Sequence, residues 1–465
     1  MYFTGLASVG LLIGLEKAVI PGGSTDLTMI PELQPTASVI RISPEMDVPI
    51  TPRVRRLIDT APFRRLAGVS QLGLVSLVYP GASHSRFEHS LGVYRNAIDV
   101  LKHLASDPRQ PMLFGDRDAS LLIVSALFHD LGHWPFCHLI EDLGLVDSAR
   151  HEILARRLLV QSELAVLLKS DWDLDPENVA DFLDPDPAST LDPVHSILRS
   201  ILSGPIDIDK LDYLERDSLH AGVPYGRNFD RHRLVHSMCI DTKKNRIAIS
   251  EKGRTAAEMM VFARYVMFSE VYWHHAVRSA TAMLQRAVFE LRRRSELVQS
   301  WIDMDDAAFK SSLLRSSFGT PSQDCTEGIF GPRRSLYKRI AQFDRFSQPQ
   351  LHRSISSKTY PQLVELSGRL AQAISAQLDL KLASNDLLID APPAQCEVQF
   401  DLRVRHKTGE YRELFELSPV VQSLATRQFD EMVKRVRVFI HPKHRDSIRK
   451  ANIPQLLEEI LAGSC

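Results

Sequence analysis

The sequence lacks paired cysteines. Its five cysteines are widely spaced along 465 residues, and no C-x-x-C pair occurs. An odd number of scattered cysteines argues against a disulfide scaffold and against a structural zinc site built from thiolates. The pattern fits a reducing compartment, and we expect a cytoplasmic location.

A long hydrophobic run is also absent. The apolar stretch near the start of the chain, from Leu6 to Leu15, has no basic segment before it and is well short of the roughly 20 residues that span a bilayer. We therefore expect no membrane contact, and we interpret residues 1–40 as an N-terminal extension that is disordered or loosely docked. An overlong gene start is the alternative explanation.

Neither sign of charge is in excess. The chain has 56 Lys and Arg against 57 Asp and Glu, a net charge of −1, so the total does not indicate a dedicated polyanion binder. Basic residues do cluster locally, at 292–294, 333–339 and 434–450. Because aromatic residues that could stack on bases are sparse among them, binding of single-stranded nucleic acid is an alternative rather than the main prediction.

Apolar residues recur at helical spacing from Asp59 onward, which predicts a mainly α fold. Two breaks interrupt the pattern. The proline-rich run from Asp184 to Pro193 predicts a surface loop, and the stretch from Ser316 to Pro332 predicts a mobile loop or a lobe boundary. The predicted helices cover Leu91–Leu104, Ala119–Phe128, His151–Leu168 and Ala256–Leu291.

The pattern changes after Pro392. Val398–Val404 and Val436–Ile440 alternate apolar with polar residues as half-buried strands do, and a helical stretch lies between them near Val421–Val433. These segments predict a small α+β lobe at the C-terminus. The predicted domains are the extension at 1–40, a helical catalytic core at 41–300 and a C-terminal α+β lobe at 301–465 that forms an interface or binds an effector.

An adjacent histidine and aspartate, His129 and Asp130, follow an apolar helix. Adjacent helical residues diverge by about 100°, yet both can bind one ion if other helices supply further ligands. His89 and Asp209 are suitable ligands. Two imidazoles and two carboxylates with open positions suit manganese, iron or magnesium better than a closed structural zinc site. We predict a divalent metal site of these four residues, with nickel, cobalt or zinc as alternative ions.

Three further histidines, His133, His138 and His151, follow this pair closely, with Glu141 among them. Histidine titrates near neutral pH, so the group can provide a general base for water and a general acid for a leaving oxygen. Taken singly, each can equally be a hydrogen-bonded helix residue.

A charged helix face begins at Asp209. Lys210, Tyr213 and Asp217 follow on neighbouring turns, because offsets of three and four residues share a face. Lysine suits a phosphate, and a tyrosine with a carboxylate one turn later suits a sugar hydroxyl. A solvated surface is the alternative interpretation.

Together these motifs resemble those of the HD-domain dNTP triphosphohydrolases, which include bacterial enzymes and a vertebrate member. The resemblance runs in order from about Asp47 to Arg449. It implies metal binding by the four residues named above and catalysis by the three histidines, with Glu141 standing where the vertebrate member has an aspartate. It rests on Gln71–Gly73, Pro80–Val93, His129–His133, Asp207–Tyr213 and Tyr272–His274.

The resemblance also implies how the substrate is bound and cleaved. The reaction would release a deoxynucleoside and inorganic triphosphate. Leu72 and Tyr272 would form the wall that excludes a 2′-hydroxyl, although both could simply be core residues. The implied triphosphate-binding residues are Arg86, Lys210 and Arg264; those lining the deoxyribose are Gln71, Leu72, Tyr213, Asp217 and Tyr272; His274 matches a nucleotide-contacting position.

Regulation by a nucleotide effector in a homo-oligomer, a dimer or tetramer, is a further implication. Ala67 and Ser250 stand where the vertebrate member has arginines, which puts guanine-specific activation in doubt. The residues that match effector-binding positions are Asp59, Arg233, Lys252, Arg334 and Lys338.

Two other functions stay open. An HD phosphohydrolase could act on a nucleoside monophosphate or a cyclic nucleotide, because fold and metal site do not fix the substrate. Three cations in one pocket, Arg86, Lys210 and Arg264, favour a polyphosphate instead. The remaining alternative is a nucleic-acid-binding protein of the same fold.

Overall fold

A computed structural model describes residues 30–107, 114–144, 150–187, 190–391, 401–424 and 433–463. Helices predominate in these ranges, which confirms the predicted mainly α fold. None of the described helices has the length and apolarity that crossing a membrane would need. The apolar stretch at Leu6–Leu15 lies outside the described residues.

The helices are numbered here in chain order. They are α1 (Pro52–Ile58), α2 (Ala61–Arg64), α3 (Arg86–Ser106), α4 (Asp116–Phe128), α5 (Cys137–Glu141), α6 (His151–Gln161), α7 (Glu163–Trp172), α8 (Pro176–Leu183), α9 (Pro193–Leu202), α10 (Ile208–His220), α11 (Arg231–Val235), α12 (Arg254–Met267), α13 (His275–Leu291), α14 (Ser295–Trp301), α15 (Asp306–Ser317), α16 (Gln323–Phe330), α17 (Pro349–Ser356), α18 (Tyr360–Leu378), α19 (Leu414–Leu417), α20 (Pro419–Ser423) and α21 (Ile453–Ala462).

The described strands form three small sheets. Strands β1 and β2 make an antiparallel pair, the second sheet has the order β3-β4-β7-β8, and the third has the order β5-β9-β6. All pairings are antiparallel except that of β4 with β7. The strands are β1 (Val39–Ile42), β2 (Met46–Pro49), β3 (Met238–Asp241), β4 (Arg246–Ser250), β5 (Lys338–Phe343), β6 (Leu387–Asp390), β7 (Arg403–Arg405), β8 (Tyr411–Glu413) and β9 (Val436–Ile440).

Helices α3, α4 and α10 pack together at the centre of the largest hydrophobic core. Every residue of α4 from Ala119 to Phe128 is buried, as expected for a helix that is apolar on all sides. Side chains cap the N-termini of the other two: Ser85 accepts from the backbone N–H of Glu88, and Asp207 accepts from that of Lys210. The start of α3, the end of α4 and the start of α10 lie next to one another, as the contacts of His89 with Asp130 and Asp209 show.

The predicted helices Leu91–Leu104 and Ala119–Phe128 are confirmed inside α3 and α4. The predicted single helix over His151–Leu168 is wrong, because the chain breaks at Ser162 between α6 and α7. The Ser162 hydroxyl accepts a hydrogen bond from the backbone N–H of Leu164 and begins the second helix. A serine can cap a helix as well as occupy its interior, and the apolar spacing does not distinguish the two.

The predicted helix over Ala256–Leu291 is also divided. A π-helical turn at Phe268–Tyr272 follows α12, and α13 begins after His274. The predicted break at Ser316–Pro332 is wrong in part, because it contains α16, whose Cys325 and Ile329 are buried. The apolar residues of α16 recur one helical turn apart, but the glycine and proline residues that flank them favour a loop in a prediction from sequence.

The predicted strand Val436–Ile440 is confirmed as β9. The predicted strand Val398–Val404 extends beyond the described residues. Of its described residues, Arg403 and Val404 lie in β7, which pairs with β4 rather than with β9. The predicted helix near Val421–Val433 overlaps α20, and residues 425–432 lie outside the described ranges. The three domain boundaries stay predictions.

Candidate active site

Four side chains from three helices meet at the centre of the fold. His89 comes from α3, His129 and Asp130 follow α4, and Asp209 comes from α10. Nε2 of His89 lies 3.1 Å from Nε2 of His129 and 3.1 Å from Oδ1 of Asp209. Nε2 of His129 is 3.5 Å from Oδ1 of Asp130. The four predicted metal ligands are thus brought together, and three of them, His89, His129 and Asp130, form a group that could hold one metal ion.

The hydrogen bonds behind the two imidazoles fit a bound cation. Nδ1 of His89 contacts Oδ2 of Asp212 at 2.8 Å, and Nδ1 of His129 contacts the carbonyl of Ala126 at 2.9 Å. Both partners are acceptors, so each Nδ1 carries a proton and each Nε2 is the nitrogen available to bind a metal ion. The two Nε2 atoms lie 3.1 Å apart, close enough to share one positive charge, either a proton or a metal ion. The donor set therefore fits a divalent metal ion.

The electrostatics of the site favour positive charge as well. Burial by itself lowers the pKa of His89, but hydrogen bonds to Asp209 and Asp212 outweigh it and raise the pKa to about 10. Burial by itself raises the pKa of Asp130, yet the nearby His133 and Arg86 hold it well below its usual range. The carboxylates are ionised, and they stabilise a cation at Nε2 of His89.

Asp212 is a residue to which the sequence analysis gave no role. Besides contacting His89 it binds Arg216 through both oxygens, at 2.8 and 2.7 Å, and Arg216 in turn donates to Glu88 at 2.8 Å. A Cβ at Gly92 would overlap Asp212, so glycine is needed where α3 and α10 approach. The one feature of the sequence that could have indicated a role for Asp212 is its position three residues after Asp209, on the same helix face.

The predicted catalytic histidines form a second cluster beside the first. Nε2 of His133 is 2.9 Å from Nε2 of His138, and the ring centroids of His133 and His151 are 4.2 Å apart. Nδ1 of His151 lies 3.0 Å from Oε1 of Glu141. His133 also approaches the first cluster, with its Nδ1 3.2 Å from Oδ1 of Asp130. All four predicted catalytic residues are therefore together.

The pKa values of the two inner histidines of this cluster are shifted in opposite directions. Burial, reinforced by the Arg86 guanidinium, lowers the pKa of His133 well below its usual range. Burial also lowers the pKa of His151, but its hydrogen bond to Glu141 outweighs this and the pKa is raised. The pKa of Glu141 is lowered, because contacts with His138 and His151 outweigh its burial. A neutral imidazole thus lies beside one that favours its protonated form.

A cavity of about 250 Å³ opens next to this cluster. Five of the predicted site residues line it: Gln71, Leu72, Arg86, His138 and Tyr272. Most of the remaining lining residues do not follow from the sequence, because they belong to several elements and to no recognisable motif. They include Phe136, Leu139, Val277, Arg278 and Thr281.

The three predicted phosphate-binding cations lie around the four predicted metal ligands. Arg86 donates to Oδ2 of Asp130 at 2.7 Å. Lys210 donates to Oδ2 of Asp207 at 2.6 Å, and this carboxylate raises the pKa of Lys210 against the opposing effect of burial. Arg264 is close enough to Lys210 and Tyr213 to affect the pKa of both. Three cationic side chains are thus gathered beside the predicted metal ligands, and two of them are paired with carboxylates.

A hydrogen bond joins two of the predicted sugar-lining residues: the Tyr272 hydroxyl donates to Oδ2 of Asp217 at 2.6 Å. The Gln71 side-chain oxygen is buried and has no hydrogen-bond partner among the described residues. The cavity therefore has an acceptor ready for a ligand hydroxyl.

His274 lies elsewhere. It caps the N-terminus of α13 and contacts the ring of Tyr79, and it is not among the described residues that line the cavity. The five predicted effector residues are all exposed, which leaves the effector site a prediction. They are Asp59 after α1, Arg233 in α11, Lys252 after β4, Arg334 before β5 and Lys338 in β5.

Two family models match the chain. Residues 86–181 match the HD domain, and residues 229–458 match the HD associated region. The first segment contains His89, His129 and Asp130, and the second contains Arg264 and Tyr272.

Relatives and solved structures extend over most of the chain. The protein YwfO of Bacillus subtilis is 34% identical over 391 residues, covering 80% of this chain and 85% of its own. The deoxynucleoside triphosphate triphosphohydrolase SAMHD1 of Gallus gallus is 28% identical over 415 residues, covering 78% of this chain and 65% of its own. A crystal structure of an Aquifex aeolicus protein superimposes with a TM-score of 0.65 at 26% identity, covering 87% of this chain and 96% of that one.

The two family models and the 34% identity to YwfO show that the chain belongs to the HD phosphohydrolase family, and SAMHD1 is among its relatives.

Proposed function

We propose that the protein hydrolyses deoxynucleoside triphosphates to a deoxynucleoside and inorganic triphosphate. One observation carries the proposal: the metal-ligand cluster, the histidine cluster and the cavity are continuous. Arg86 binds Asp130 and lines the cavity, and His138 contacts His133 and lines the same cavity. A nucleotide in the cavity would thus have its phosphates beside both clusters.

The proposed reaction forms a bond from the oxygen of water to the α-phosphorus and breaks the bond from that phosphorus to the 5′ oxygen of the sugar. Water loses a proton and the 5′ oxygen gains one. A divalent ion held by His89, His129, Asp130 and Asp209 would polarise a phosphoryl oxygen and offset charge at the phosphorus under attack.

The histidine cluster suits the two proton transfers. Neutral His133 can accept a proton, and His151, whose pKa is raised by Glu141, can donate one to the leaving oxygen. His138 is the most exposed of the three, with 58% of its side chain accessible, and lies at the cavity. We assign it to contact the substrate.

The cations support a polyphosphate substrate. Arg86 and Lys210 are largely buried, and each has a single carboxylate partner among the hydrogen bonds of the described residues, Asp130 and Asp207. Guanidinium and ammonium groups at such sites bind phosphate oxygens through charge-assisted hydrogen bonds. The relative SAMHD1 is named as a deoxynucleoside triphosphate triphosphohydrolase, which agrees with this substrate class.

The test is product analysis. Purified protein loaded with manganese or magnesium is incubated with each of the four dNTPs, singly and in pairs so that a nucleotide effector is also present. We expect inorganic triphosphate and a deoxynucleoside. Loss of activity in Asp209→Asn but not in the surface control Asp47→Asn would tie the reaction to the proposed site. Asp47 is exposed and pairs only with Arg41 among the described ion pairs.

The proposal would be refuted if none of the four dNTPs, alone or in pairs, released inorganic triphosphate. Hydrolysis of a monophosphate or cyclic nucleotide that is insensitive to Lys210→Ala and Arg264→Ala would favour another substrate of the same family. With a dNTP substrate, both substitutions should raise KM by about tenfold or more, because each removes a charged partner of the phosphates.

A further inference from the structure

His84 lies two residues before the first residue of α3 and is buried, with 4% of its surface exposed. Its Nε2 is 2.8 Å from Oδ1 of Asp217, the carboxylate whose other oxygen accepts from Tyr272. The second ring nitrogen of His84, Nδ1, is buried and has no partner among the described residues. A proton at Nδ1 would have no acceptor, so we place it on Nε2, which donates to Asp217.

The ring of His84 is fixed from a second direction. It stacks on the ring of His220, with centroids 4.3 Å apart and an angle of 21° between the planes. His220 belongs to α10 and lies 3.5 Å from Oε1 of Glu88 in α3. Two helices of the central core therefore set the orientation of the imidazole.

The backbone of His84 holds another part of the cavity. Its carbonyl accepts a hydrogen bond from the backbone N–H of Gln71 at 3.0 Å, and the neighbouring residues Ser70 and Ser85 form an isolated antiparallel bridge. Gln71 lines the cavity with its unpaired side-chain oxygen. His84 thus contacts two of the groups proposed to surround the sugar, one through its side chain and one through its backbone.

We infer that His84 is a positioning residue for the sugar end of the substrate, and that it acts by holding the Asp217 carboxylate where it binds the 3′-hydroxyl. The inference rests on the proposed dNTP substrate. Asp217 has two oxygens and about four lone-pair positions, of which His84 and Tyr272 use two. The rest can accept from a sugar hydroxyl.

The test compares dNTPs with 2′,3′-dideoxynucleoside triphosphates, which lack the 3′-hydroxyl. In the wild-type protein kcat/KM should favour the dNTP, because its hydroxyl pairs with Asp217. In His84→Asn the amide cannot reach the position of Nε2, and we expect this preference to fall by about tenfold. In His84→Gln the amide nitrogen reaches the Nε2 position, and the preference should stay within about threefold of the wild type.

A purely structural role would give a different result. Equal losses for both substrates in His84→Asn, or an unchanged preference, would overturn the inference. His352→Asn is the matched control. His352 is a buried histidine away from the proposed site, and its Nε2 forms a hydrogen bond with the carbonyl oxygen of Lys434. If His84→Asn does not fold, His84→Phe carries the same comparison, because it retains the ring stack and lacks the donor.

The outcomes separate this inference from the proposed function. Absence of dNTP hydrolysis in the wild type refutes the function itself. Hydrolysis of dNTPs and dideoxynucleotides at equal kcat/KM leaves the function standing and refutes the role of His84.

Discussion

Asp212 contacts Nδ1 of His89 at 2.8 Å, on the side of the imidazole that faces away from the proposed metal. This pair links the metal-ligand cluster to a buried network that continues through Arg216 to Glu88. A carboxylate in this position fixes the ring orientation and increases the basicity of the ligating nitrogen. The pair therefore yields the first prediction.

Asp212→Asn should weaken binding of manganese by about 10- to 100-fold, because the amide retains the shape but not the charge that supports His89. Calorimetric titration of the apo protein measures the affinity, and Asp47→Asn provides the control. Since Arg216 also loses a buried partner, folding is checked by circular dichroism at the titration temperature. Unchanged affinity in a folded variant would contradict the prediction.

The second prediction concerns the pH dependence of the proposed hydrolysis. His151 donates a proton only while it is protonated, so the rate falls as pH rises through its pKa. Glu141 raises that pKa. Glu141→Gln removes the largest of the effects that raise the pKa of His151 against burial, so the alkaline limb of the kcat profile should move to lower pH. We expect the ratio of kcat at pH 8.5 to that at pH 6.5 to fall about fivefold or more.

Profiles between pH 6 and pH 9.5 provide the measurement. Glu177→Gln, which removes a surface partner of Arg156, should leave the alkaline limb in place. An unshifted limb in Glu141→Gln would mean that His151 is not the proton donor.

The third prediction addresses sugar selectivity. Leu72 lines the cavity with Tyr272 and is proposed to exclude a 2′-hydroxyl. Leu72→Ala removes that wall, and kcat/KM for ATP or GTP relative to the matching dNTP should rise about tenfold, the effect expected when a pocket gains the space of a small group. Leu314→Ala in α15 is a control of the same size change. An unaltered ratio would show that Leu72 is only a core residue.

The sequence predicts the elements that depend on local pattern. Helices α3 and α4 follow from apolar spacing, and β9 follows from alternation, because these patterns record which residues face the core. The break at Ser162 and the π-helical turn at Phe268–Tyr272 do not follow from it. Their apolar spacing continues through the interruption, and only tertiary packing decides where the helix ends. The pairing of β7 with β4 joins residues distant in sequence, which no local pattern records.

The residues of the site likewise divide into those that the sequence predicts and those that it does not. Motif spacing predicts His89, His129, Asp130 and Asp209 as one cluster, because each residue type is a metal ligand at the end of a central helix. Asp212 and His84 act through other side chains, and their partners come from different helices. Such roles depend on the relative placement of α3 and α10, so residue type alone does not indicate them.

The last prediction concerns stability away from the active site, at Asp386. This buried carboxylate accepts from Lys443 at 2.8 Å and from the backbone N–H of Ala383 at 2.8 Å, and it lies 3.1 Å from His444. Burial by itself raises the pKa of Asp386, but these contacts outweigh it and the pKa is lowered. A lowered pKa in the folded state means that the carboxylate stabilises the fold above its unfolded pKa of about 3.9, and that this contribution is lost as pH falls through the folded value.

Asp386→Asn should therefore lower the free energy of unfolding by about 2 kcal/mol at pH 7, and the difference from the wild type should narrow as pH falls below the unfolded pKa of about 3.9. Urea denaturation at several pH values measures it. Asp446→Asn removes an exposed pair with Arg449 and should change stability by less than about 0.5 kcal/mol. A difference that stays constant down to about pH 2.5 would show that the Asp386 charge is not what stabilises this part of the chain, because a protonated carboxyl and an amide are nearly equivalent.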